Sequence, residues 1–218
     1  MDIPRIFNIT ESAHRIHNPF TPEKLATLGA ALRLEPGDRV LDLASGSGEM
    51  LCTWARDYGI TGTGIDMSQL FTGQARLRAE ELGVSDQVTF IHGDAAGYVS
   101  EEKVSVAACV GATWIGGGVA GTIQLLAQSL RPGGMILIGE PYWRQLPPTE
   151  EVARACHANS ISDFLLLPEL LASFIHLGYD VVEMAVSYTH LRAHETPEHL
   201  VCRLLLEKKK KRIPTREH

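Results

Sequence analysis

The chain has 218 residues, 44% of them hydrophobic and 21% charged, which suits one α/β domain with a full core. No apolar run is long enough to span a bilayer, and the opening MDIPRIFNIT lacks a basic-then-apolar secretion pattern, so a cytoplasmic location and no membrane partner are expected. The net charge of −6 is uneven: residues 186–218 hold eight Lys/Arg against four Glu, leaving the rest near −10, which argues against a basic nucleic-acid groove.

In chain order, Thr21-Pro22 opens a helix, with a capping hydroxyl and then proline at the first helical position. Leu25, Leu28 and Leu32 recur at helical spacing. Pro36-Gly37-Asp38 turns the chain into a short strand, Val40 to Leu43. A second helix is predicted from Glu49 to Tyr58, ended by Gly59. A strand from Gly62 to Ile65 follows, then a helix capped by Ser68 and stopped by Gly83. Strands at 88–91 and 104–110 precede a helix at 119–130, and Arg131-Pro132-Gly133-Gly134 turns into a fifth strand, Met135 to Ile138. Helical patterns start at Thr149 and Ser162, before a sixth strand at 181–184. This repeated alternation predicts a doubly wound α/β domain with a mostly parallel sheet, whose ligands bind beyond the carboxyl ends of the strands.

The four cysteines, Cys52, Cys109, Cys156 and Cys202, form no CxxC pair, and no metal site is expected. The tail reads differently from the body. By propensity, LVCRLLLEKKKK at 200–211 suits an amphipathic helix with a basic end. Back-translated, however, VSYTHLRAHET at 186–196 and LVCRLLLEKKKK resemble the two ends of a short-read sequencing adapter, read through in one frame into poly-A. Residues 197–199 fall where a sample index would sit. On that reading residues 1–185 are a C-terminally truncated domain and 186–218 a non-native tail. Its lysines are then no nucleic-acid patch, and His190, His194 and His199 no metal cluster.

Three acids close three successive predicted strands. Asp42 precedes Gly46 and Gly48, whose bare backbone admits a ligand at a helix N-terminus. The loop lacks the Gly-Lys-Ser/Thr of a P-loop and the third glycine of GxGxxG. Asp66 closes the second strand, where an acid can accept from both ribose hydroxyls, and Asp94 closes the third in FIHGDAAG.

With VLDLASGSGEM, GTGIDMS, FIHGDAAG and LLAQSLRPGGMILIGE in that order, the chain resembles the class I S-adenosylmethionine-dependent methyltransferases over about residues 20–184. RIHNPFT and GEPYWRQLP resemble a small enterobacterial branch of that family. The resemblance implies a Rossmann-like methyltransferase fold and S-adenosylmethionine as cofactor. It assigns Asp42, Ala44, Gly46 and Gly48 to the amino-acid end, Asp66 to the ribose, and Asp94, Met67 and Ala95 to the adenine, with Val110 nearby. Three departures stand out. Ala44 replaces a glycine, which is tolerable if its φ is negative. Ser105 stands where an aspartate is frequent. The seventh strand is expected to be missing, because the adapter-like tail occupies its place, leaving a raw sheet edge.

The expected reaction is in-line methyl transfer to a small-molecule acceptor, with a base needed only if the acceptor must lose a proton. Candidate bases are Glu140, His14 and His17, and candidate pocket aromatics are Trp114, Tyr142 and Trp143. EPYW follows the fifth strand rather than the fourth, which separates it from the Asn/Asp-Pro-Pro-Tyr motif of nucleic-acid methyltransferases. The rival readings are a nicotinamide-dependent oxidoreductase on a Rossmann sheet and a non-catalytic adenosyl-ligand binder.

Overall fold

The computed structural model describes residues 14–17, 21–156, 158–188 and 199–208; His190 and His194 lie outside them. Seven strands form one sheet in the order β3-β2-β1-β4-β5-β7-β6. They are β1 (Arg39–Leu43), β2 (Thr61–Asp66), β3 (Val88–His92), β4 (Val104–Val110), β5 (Leu130–Trp143), β6 (Tyr179–Tyr188) and β7 (His199–Lys208). The first five pair in parallel, and β7 runs antiparallel to both β5 and β6.

Among the described residues six α-helices accompany the sheet: α1 (Pro22–Ala31), α2 (Glu49–Tyr58), α3 (Gln69–Glu81), α4 (Val119–Ser129), α5 (Glu150–Ala155) and α6 (Leu167–His176). Thr21 caps α1 by accepting from the Lys24 amide, and Ser68 caps α3 by accepting from the Phe71 amide. Gly48 and Gly59 bracket α2, each in the left-handed region.

Strand alternation divides the core. Leu41, Leu43, Ala107, Ile136 and Ile138 face α4 and α6, whereas Val40, Val106, Ala108 and Leu137 face α1, α2 and α3. No helix among the described residues is long and apolar enough to cross a membrane.

Two expectations need correction. The seventh strand is present, and the tail supplies it. His199–Lys208 pairs with β5 from Trp143 to Met135 and with β6 from Tyr188 to Tyr179. The leucines that suit a helix also suit a strand, and two open strand edges decide between them: tertiary context overrides propensity. The fifth strand is also longer than the four residues predicted, reaching Trp143, because β7 offers it a partner beyond the point where β4 stops.

Candidate active site

The glycine loop leaves β1 at Leu43 and enters α2 at Glu49. Its shape depends on residues with positive φ. Gly46 lies at +55° and Gly48 at +73°, and a Cβ on Gly48 would come within 2.6 Å of the Phe90 ring. Ala44 sits at +64°, so the condition under which an alanine is tolerated here without strain is not met. A left-handed alanine costs about 1–2 kcal/mol. Ala44→Gly is therefore expected to raise the melting temperature, by about 1 kcal/mol after the glycine's larger unfolded-state entropy is subtracted, as thermal denaturation would read.

Asp66 ties the loop to the second strand. One carboxylate oxygen accepts from the Gly46 amide and the other from the Ser68 amide, each at 2.8 Å, and the side chain is buried. A carboxylate offers about four lone-pair sites, so these bonds leave acceptor capacity for a ligand. Asp42 is also buried, deep between β2 and β4, where its carboxylate is the second cause, after burial, of the raised pKa of the Cys109 thiol. Glu49, the acid that follows the loop, faces elsewhere. Arg78 holds it with two bonds of 2.7 and 2.9 Å, a clamp between α2 and α3.

At the third strand end, Asp94 is exposed and its Oδ1 accepts from the Ala96 amide at 2.8 Å. Ala95 is buried in the core, while Met67 is half-buried with its carbonyl 3.1 Å from His92 Nε2. Val110 ends β4, so close to β5 that a Cβ on Gly139 would meet its Cγ1 at 2.7 Å.

Beyond β4 and β5 the structure joins two groups 27 residues apart in sequence: Thr113 donates its hydroxyl to Glu140 Oε2 at 2.6 Å. Burial pushes the Glu140 carboxyl up to about 7, against the Thr113 bond, which pulls it down. Thr113 is a participant that sequence reasoning missed; only its place just after β4 hinted at it. The aromatic candidates separate. Trp114 is 62% exposed, on a short 3-10 turn after β4. Tyr142 packs in the main core instead, and Trp143 in a small cluster with Ala153, Cys156 and Ala158, its indole donating to the Ile161 carbonyl. Both follow the alternation of a strand longer than expected. His14 is exposed, and His17 lies on the glycine loop.

Known proteins share this fold. Residues 40–134 match the profile of a methyltransferase domain. The chain is 73% identical over 187 residues to the protein YjhP of Escherichia coli strain K12, covering 86% of this chain and 75% of the relative. Crystal structures of S-adenosylmethionine-dependent methyltransferases bound to S-adenosyl-L-homocysteine superpose closely. That of Geobacter sulfurreducens has a TM-score of 0.91 and 64% identity, covering 95% of this chain and 99% of the other. That of Thiobacillus denitrificans has a TM-score of 0.89 and 63% identity, covering 96% and 100%. This chain belongs to the S-adenosylmethionine-dependent methyltransferases.

A methyltransferase of this family must hold a carboxylate, an ammonium, a sulfonium and an adenosine. The local structure fits that set. The start of α2 has no side-chain cap, so its first amides are not occupied by a side chain and suit a carboxylate. Asp42 and Asp66 add two buried acids on the adjacent strands β1 and β2, and Asp66 reaches the loop through the Gly46 amide.

Proposed function

We propose that this methyltransferase acts on a small-molecule acceptor, that Asp42, Asp66, Asp94 and the glycine loop hold its cofactor, and that Glu140 receives the acceptor's proton. When bound, S-adenosylmethionine supplies a methyl carbon made electrophilic by its sulfonium. Asp66 is the group suited to the ribose hydroxyls, and the Ala44–Gly48 turn to the amino-acid end. Asp94, Met67 and Ala95 form the adenine end, with Val110 beside it. Residues 1–185 carry these groups, and residues 186–218 serve as a foreign segment that contributes β7.

The observation that carries the acceptor side is Glu140. A carboxyl poised near 7, beyond the strand ends and bonded to Thr113, suits an acceptor that must lose a proton during methylation. The acidic body favours a small acceptor over nucleic acid. Incubation with methyl-tritiated S-adenosylmethionine and a cell extract, followed by size fractionation, tests this. Label is expected in a filtrate compound that chromatography separates from unreacted S-adenosylmethionine, and that product is expected to disappear with Glu140→Gln. Label confined to protein or nucleic acid would overturn the reading.

Glu140 also shapes stability. Its folded pKa lies above its unfolded value of 4.5, so its contribution is fully present below 4.5 and is lost as pH rises through about 7. Glu140→Gln is expected to flatten that slope and to be more stable than the parent above pH 7, by about 2–3 kcal/mol in urea denaturation.

A further inference from the structure

His17 precedes the first helix, yet its ring rests on the glycine loop. Three contacts fix it. Nε2 lies 2.8 Å from Ser47 Oγ, and the ring centroid is 4.1 Å from that of Phe71. The opposite edge is so close to Gly46 that a Cβ there would sit 2.8 Å from Nδ1.

The hydrogen-bond pattern decides where the imidazole proton is. Ser47 Oγ donates to Gln74 Oε1 at 2.8 Å, and an amide oxygen only accepts. The hydroxyl has one proton, which goes to Gln74, so Ser47 accepts from His17. Nε2 therefore carries the proton, and in the neutral ring Nδ1, the edge turned to Gly46, is the acceptor. Gly46 in turn donates its amide to Asp66. The turn is held from one side by His17 and from the other by Asp66.

The turn needs such a bracket. Ala44, Gly46 and Gly48 all have positive φ, and the helix they lead into has no side-chain cap. Its amides point correctly only while the loop keeps its shape. The acceptor-side carboxylate stands at the outer end of β5.

We propose that His17 is a positioning residue for S-adenosylmethionine, holding the Ser45–Gly48 turn in the form that receives the cofactor's amino-acid end. This rests on the assignment of the glycine loop to that end. It makes a selective prediction, because a ligand without the amino-acid portion does not use the turn.

The test is calorimetric titration of the full chain with S-adenosylhomocysteine and, separately, with methylthioadenosine, which keeps the adenosine and thioether but lacks the amino acid. His17→Ala is expected to weaken S-adenosylhomocysteine about tenfold and leave methylthioadenosine unchanged. His17→Gln keeps an N–H donor and is expected to recover most of the loss. Asp66→Ala, at the ribose, is expected to weaken both ligands. Equal weakening of both ligands by His17→Ala, or no weakening of S-adenosylhomocysteine, would overturn the proposal. A failure confined to Asp66→Ala would count instead against the ribose assignment. Thermal melts of each variant confirm that the comparison is between folded proteins.

Discussion

Asp66→Ala is expected to weaken S-adenosylhomocysteine by about 100-fold or more in calorimetric titration. The size follows from the two roles of one carboxylate. Bonds from neutral donors to a buried charged acceptor contribute about 1.5–3 kcal/mol each, and a ribose offers two hydroxyls. The same carboxylate now holds the Gly46 and Ser68 amides, so its loss also loosens the loop and the start of α3. Asp66→Asn separates these roles. Its single carbonyl oxygen retains one of the two amide bonds, so the melting temperature is expected to recover more than the affinity. Full affinity in the alanine variant would remove Asp66 from the cofactor site.

Ending the chain after Tyr188 is expected to leave a protein that is insoluble or unfolded. The usual cost of losing an edge strand is modest, but β7 is not at the edge. It lies between β5 and β6, and among the described residues β6 pairs with no other strand. Its removal breaks two ladders at once, exposing the long edge of β5 and detaching β6. Against a total stability of about 5–15 kcal/mol, that loss is decisive. Leu206→Ala is the milder probe: the side chain is fully buried, and its truncation is expected to cost about 2–4 kcal/mol in urea denaturation. A soluble, cooperatively melting truncated chain would show that the tail strand is dispensable.

The elements most legible in the sequence are those bounded by local chemistry. The α2 boundaries follow from Gly48 and Gly59, and those of β4 from its unbroken apolar run. Asp42 and Asp66 were legible because a strand-end acid beside a glycine turn is a short pattern. Glu140 with Thr113 and His17 with Ser47 were not, because each pair meets across 27 or 30 residues and no periodicity reports that approach. Ala44 shows a different limit: its backbone takes the angle that the turn demands, whatever its side chain prefers. The burial of Tyr142 and Trp143 in packed clusters was not legible either, since the reach of β5 is set by its neighbour.

Pairing between β4 and β5 ends at Gly139, so the stretch from Glu140 to Trp143 lies alongside β7. The ribosome delivers β7 after every other strand. The glycine loop and the acids at the ends of β1 to β3 are therefore synthesised while translation continues. The outer end of β5 must wait for β7 to slide between two already synthesised neighbours. Vectorial synthesis thus gives the nascent chain an order of delivery, with the glycine loop and its strand-end acids synthesised well before the strand that borders Glu140 to Trp143.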